Sequence, residues 1–165
     1  ENKAQEALEK WTEIKNKNEN IKLHMVGKLQ TNKVKFVLPL FDFIHSLDSL
    51  RLAKKISEEQ KKYENKPKIF IQINIGNESQ KSGIDKSQLS EFYNECINLG
   101  LDICGTMCLP PVDNDPDIYF SEMKKITNIL NLNDMSMGMS EDYLKAVEYS
   151  STHLRIGSKI FGARS

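Results

Sequence analysis

Two turns near the C-terminus hold the residues best suited to chemistry. Met135-Ser136-Met137-Gly138-Met139-Ser140 falls where a strand pattern gives way to a helical one, and Arg155-Ile156-Gly157-Ser158 repeats the arrangement on the following strand. Glycine and hydroxyl residues at such a turn let backbone N–H groups converge on an anion. In barrels of parallel strands the loops after the last two strands frequently bind a phosphate, so two such turns in succession read as a phosphate site. The same residues also suit ordinary turns that use glycine for its dihedrals, and the sequence leaves both readings open. Arg155 lies inside the last strand, between Leu154 and Ile156. A guanidinium facing inward there must find a partner, either a ligand or a carboxylate on a neighbouring strand.

The remaining polar residues make weaker claims. His24 stands alone on an apolar strand, as a hydrogen-bonded core histidine or as a general base, and His45 and His153 carry less weight still. Lys28, Lys33 and Lys35 have the spacing of a solvated helix face. Ser82-Gly83 forms a polar loop suited to lining a mouth. Cys104 and Cys108 lack a second pair or a nearby histidine, so all three cysteines are read as packing residues and no metal site is expected. No GxSxG, HExxH or P-loop pattern occurs.

The elements that must position these residues alternate in type. Residues 2–17 place Ala4, Leu8, Trp11 and Ile14 on one helical face, and Ile21 to Val26 reads as a strand. A short helix over Thr31 to Leu38 stops at Pro39, a strand covers Phe41 to His45, and Asp48 is the expected N-cap of a helix reaching Lys62. Lys68 to Ile75 is the clearest strand, followed by a helix opened by Asp85 and carrying Leu89, Phe92, Tyr93, Cys96 and Ile97. Leu101 to Met107 is the next strand; Asp115-Pro116 opens a helix with Phe120, Met123, Ile126 and Leu130 on its stripe. Asp134 to Met137 and His153 to Gly157 are the last strands, separated by a helix expected to be capped at Ser140.

This is an α/β chain of 165 residues forming one domain over 1–165, with six strands visible. A closed (β/α)8 TIM barrel takes about 250 residues, so a barrel reading leaves the chain short of two βα units at its N-terminus. Twenty-three basic and 23 acidic residues cancel, which removes the footprint of non-specific nucleic-acid or anionic-membrane binding. No apolar run approaches the roughly 20 residues that span a bilayer, and the polar start lacks the order of a secretory signal. An odd number of cysteines suits a reducing compartment, so the expected location is cytoplasmic.

Several segments together resemble the pyridoxal phosphate homeostasis proteins of the YggS/PROSC type, which look like the barrel domain of alanine racemase standing alone. The shared pieces include Glu1-Asn2 with Gln5-Glu6, His24-Met25-Val26-Gly27 with Leu29-Gln30 and Asn32-Lys33, and Ile44-His45-Ser46 with Asp48-Ser49. Further on come Gln72-Ile73-Asn74, Lys81-Ser82-Gly83-Ile84, Gly105-Thr106-Met107, Ser136 to Ser140, Arg155-Ile156-Gly157 and Ile160 to Arg164. The match runs over essentially the whole chain, and the order of the pieces is highly specific.

The resemblance implies an alanine racemase N-terminal-type barrel holding pyridoxal 5'-phosphate at the carboxyl ends of its strands. Ser136, Met137 and Gly138 with Gly157 and Ser158 would hold the phosphate, Arg155 would face the pyridine nitrogen, and Asn2, His24 and Asn74 would line the mouth. An arginine there discourages protonation of that nitrogen and weakens the cofactor as an electron sink. The family's Schiff-base lysine lies upstream of the segment matched by Glu1, so no catalytic residue is assigned in this chain. Lys28 stands where the family often has histidine, on a different strand's loop, and is not a replacement for that lysine. The expected function is a monomeric carrier that binds and buffers pyridoxal phosphate for dependent apoenzymes, without turnover of its own. The rival is a racemase-like enzyme acting on amino acids; a racemase needs a second proton donor, usually a tyrosine from an added domain.

Overall fold

The computed structural model describes residues 1–18, 20–64, 66–78, 80, 82–112 and 114–162. Six strands lie side by side in sequence order: β1 (His24–Met25), β2 (Phe43–Leu47), β3 (Lys68–Ile73), β4 (Ile103–Cys108), β5 (Asp134–Met139) and β6 (His153–Arg155). Every neighbouring pair is parallel. A doubly wound open sheet reverses its strand order at a switch point, and this sheet never does. Strands added always on the same side curl toward a barrel. The curl is seen directly: the His153 ring on β6 lies 5.7 Å from the His24 ring on β1, across the inner face.

Helices fill the crossovers, as parallel pairing requires. They are α1 (Ala4–Lys17), α2 (Val34–Val37), α3 (Leu50–Gln60), α4 (Leu89–Asn98), α5 (Pro116–Ile129), α6 (Tyr143–Glu148) and α7 (Ser158–Phe161). The apolar core lies between sheet and helices, with Ile44, Leu47, Ile69 and Ile71 from the strands and Leu52, Ala53 and Ile56 from α3 all buried. Alternate strand residues point the other way. Phe43, His45, Phe70, Gln72, Ser136, His153 and Arg155 follow that spacing on their strands.

Several boundaries differ from the expectation. Ser49, not Asp48, caps α3, its hydroxyl accepting from the Leu52 N–H at 3.4 Å. Asp115 accepts from the Asp117 N–H at 3.1 Å ahead of Pro116, as expected. Ser140 caps no helix, because α6 begins three residues later and Asp142 takes the Met139 N–H at 2.6 Å. β5 runs on to Met139, and β6 stops at Arg155 short of Gly157. Ile14 and Ile97, placed on buried stripes by periodicity, are exposed. Large apolar side chains are also exposed on α6 and α7, at Leu144, Val147, Ile160 and Phe161.

The first two residues run beside β1. The Glu1 amino group donates to the His24 carbonyl at 2.7 Å and the Val26 N–H donates to the Glu1 carbonyl at 2.8 Å, bonds that flank Met25 as parallel pairing does. Gly27 permits this approach: a Cβ there would sit 2.0 Å from the Asn2 carbonyl oxygen. The three cysteines are free thiols whose burial pushes them up to about 12, which suits packing. Among the described residues no cluster could hold a metal ion, and no helix is long and apolar enough to cross a membrane.

Candidate functional site

The carboxyl ends of the strands open into a cleft of about 1400 Å³ lined by His24, His45, Gln72, Asn74, Arg155 and Gly157, among others. Its floor is a layer of rings supplied by alternate residues of neighbouring strands. His24 stacks on Phe43 at 4.2 Å between centroids, and His45 stacks on Phe70 at the same spacing. His153 meets Phe70 edge-on at 4.9 Å. These rings pack the base of the cleft with apolar surface, which lowers the local polarity and strengthens the polar interactions among them.

A chain of hydrogen bonds crosses the floor. His24 Nδ1 lies 2.9 Å from His45 Nε2, His45 Nδ1 lies 2.8 Å from Ser136 Oγ, and Arg155 donates to that oxygen at 2.7 Å. The second guanidinium nitrogen donates to the Cys108 carbonyl at 2.8 Å. Burial pushes His24 down to about 4 and His45 to about 2, with neighbouring positive groups adding to both shifts. Burial also lowers Arg155, but a guanidinium stays charged. Among the described residues no carboxylate pairs with Arg155, which removes the strand-to-strand ion pair as its reason for being there. Its Nε is buried with no hydrogen-bond partner among the described residues.

Above the floor, the turns after β5 and β6 meet. Ser140 Oγ accepts from the Gly157 N–H at 3.2 Å and the Lys159 N–H at 3.4 Å. Two backbone donors from one turn thus converge on a hydroxyl oxygen from the other. Among the described residues nothing lies within 4 Å of a Cβ built on Gly157.

Of the nine residues singled out from sequence, Asn2, His24, Asn74, Arg155 and Gly157 line the cleft. Asn74 spends its side-chain amide on its own loop, donating to the Glu78 carbonyl at 2.9 Å and accepting from the Glu78 N–H at 3.1 Å. Ser136 and Met137 are fully buried in β5. Because β5 continues past them, the Ser136 hydroxyl faces His45 and Arg155 under the floor, and the open turn starts at Ser140 instead. Gly138 has φ +92° and packs where a Cβ would come within 2.5 Å of Ala146. Ser158 opens α7 and is exposed. Sequence reasoning gave His45 and His153 little weight, and the structure sets both in the ring layer. The same reasoning placed Ser140 in the candidate anion turn and also as a helix cap, and only the capping is absent. The usable signal was the two-residue spacing that sets Phe43 and His45, and likewise His153 and Arg155, on one face of their strands.

Residues 2–165 match the family model of the alanine racemase N-terminal domain. The chain is 34% identical to the pyridoxal phosphate homeostasis protein of Aquifex aeolicus, over 99% of this chain and 75% of that protein. It is 33% identical to the protein of that name from Pasteurella multocida, over 99% and 75%. Among solved structures, PipY of Synechococcus elongatus PCC7942 superposes without pyridoxal phosphate at TM-score 0.88 and 29% identity, over 98% of this chain and 80% of PipY. The form of PipY with pyridoxal phosphate bound superposes at 0.89 and 28% identity, over 98% and 79%. With a parallel sheet curled about a polar cleft and matches of this extent, the chain belongs to the alanine racemase N-terminal domain family and, within it, to the pyridoxal phosphate homeostasis proteins.

Proposed function

We propose that this protein binds pyridoxal 5'-phosphate in the cleft at the strand ends and carries and buffers the cofactor without turning over a substrate. The observation that carries the reading is the pairing of Arg155, a charged donor with no carboxylate partner among the described residues, with backbone donors converging from the neighbouring turn. The residues present fit the group. The Gly157 and Lys159 N–H groups, now satisfied by Ser140 Oγ, suit a phosphate oxygen, and the Ser140 hydroxyl would turn to donate to it. The pyridine end would lie toward Arg155, over the histidine and phenylalanine rings. When bound, the cofactor supplies a reactive aldehyde and an electron-withdrawing ring. Arg155 is too weak an acid to transfer a proton to the ring nitrogen, so the site favours retention over carbanion chemistry.

Two finer readings belong with this one. The six strands are six of the eight in a (β/α)8 barrel, the other two lying between β6 and β1. Supporting this are the curl that brings β6 back toward β1, the pairing of Glu1 beside Met25, and relatives that extend beyond the matched region. The protein acts in the cytoplasm as a single-domain monomer and passes its cofactor to dependent apoenzymes. The test is a spectroscopic titration with pyridoxal phosphate and with pyridoxal, run beside an assay for amino-acid racemisation. Tight binding that requires the phosphate, with no racemisation, is the expected result. Turnover that is lost in Arg155→Ala would replace the carrier with a racemase-like enzyme.

A further inference from the structure

The hydrogen bonds beneath the cleft have a direction, and Arg155 sets it. A guanidinium offers donors and no acceptor, so Arg155 can only donate to Ser136 Oγ. The Ser136 hydroxyl has one proton to place, and His45 Nδ1 is its one other partner among the described residues. A proton on His45 Nδ1 would leave the Ser136 hydroxyl a buried donor without an acceptor, an arrangement that folded proteins avoid. His45 Nδ1 therefore accepts, and its proton sits on Nε2. That nitrogen donates to His24 Nδ1, which leaves His24 protonated on Nε2. No described residue hydrogen-bonds to His24 Nε2, and the side chain lines the cleft.

We propose that Arg155, Ser136, His45 and His24 form a one-way hydrogen-bond relay that locks both imidazoles as neutral Nε2–H tautomers and makes His24 a donor to an acceptor atom of the bound ligand. Ser136 and His45 are positioning residues in this scheme: His45 lines the cleft, but both its ring nitrogens are committed to Ser136 and His24. The partner selected is a hydrogen-bond acceptor, since the relay leaves no lone pair on His24 for a ligand donor. Burial and the neighbouring positive groups keep both rings uncharged near neutrality. The groups that face them are His153, at 5.7 Å from each ring, with Asp42 and the amino terminus acting on His24 and Arg155 and the amino terminus acting on His45. The polarity of the relay follows from the chain's own residues. The ligand contact rests on the proposed function.

Nitrogen-15 NMR of the histidine rings in the ligand-free protein at pH 7 tests the relay. The expected result is a single tautomer at His24 and at His45, with the proton on Nε2 in both. Ser136→Ala removes the donor that fixes the direction, so both rings should lose their single tautomer, including His24, which Ser136 does not touch. Ser136→Thr keeps the hydroxyl and should restore it. A proton on His45 Nδ1 in the wild type, or a His24 unmoved by Ser136→Ala, overturns the proposal. Should Ser136→Ala fail to fold, the wild-type tautomers still decide. In a titration with pyridoxal phosphate, His24→Phe should bind about tenfold more weakly and His24→Gln should recover most of the loss. Equal affinity for His24→Phe and wild type overturns the donor role. Absence of cofactor binding by the wild type counts against the proposed function, whereas the tautomers judge the relay separately.

Discussion

Arg155 is the residue on which the site turns. It is held by one hydroxyl and one carbonyl, neither of which cancels its charge. Replacing it by methionine keeps much of the side chain's apolar contact and removes the charge, so Arg155→Met should weaken pyridoxal phosphate binding by at least about tenfold in a fluorescence titration. Ser140 makes a sharper distinction, because its oxygen already sits between the donors proposed for the phosphate. Ser140→Ala should weaken pyridoxal phosphate by roughly tenfold or more and leave pyridoxal, which lacks the phosphate, unchanged. At this scale the sequence was readable where a residue type was out of place: an arginine inside a strand, a histidine on an apolar run. It was not readable where the partner came from far along the chain. His45 meets Ser136 across 91 residues of sequence, a pairing that no local pattern reveals.

The alternation of strands and helices was legible because its periodicities differ. The strand expected over Lys68 to Ile75, rich in isoleucine and phenylalanine, is present and ends two residues early at Ile73, and the Asp115-Pro116 helix start lies where expected. Boundaries were harder, since a turn's hydrogen bonds depend on backbone angles that neighbouring polar residues do not settle. Asp48 and Ser49 are both good caps by type, yet Ser49 takes the Leu52 N–H. Ser49→Ala should therefore cost about 1 kcal/mol in urea unfolding, with Asp48→Ala costing much less. The contact between Gly27 and the Asn2 backbone is stricter. A Cβ 2.0 Å from the Asn2 carbonyl oxygen forces the strand and the opening segment apart, so Gly27→Ala should lose roughly 1–3 kcal/mol in the same measurement.

For the whole molecule, the ring layer couples the sheet's curl to pH. His24 and His45 have folded values, about 4 and about 2, below the ordinary 6.5 of an unfolded histidine. The unfolded chain then binds more protons than the folded one below pH 6.5, and stability must fall as pH drops through that value toward the folded ones. The melting temperature should decline between pH 7.5 and 5, and His45→Gln, which does not titrate, should decline less steeply. The strand order β1 to β6 without reversal is also a whole-molecule property. Pattern alone left an open sheet and a barrel as alternatives, since each is built from the same βα units and only the side on which each strand is added separates them.

The central claim places pyridoxal phosphate across the carboxyl ends of β5 and β6, and the most direct measurement is a crystal structure of the protein soaked with it. The account expects one cofactor molecule in the cleft. Its phosphate should take the Gly157 and Lys159 N–H groups from Ser140, and its ring nitrogen should face Arg155. A cleft left empty at saturating cofactor, or a cofactor bound with its phosphate away from the Ser140 and Gly157 turns, would contradict it.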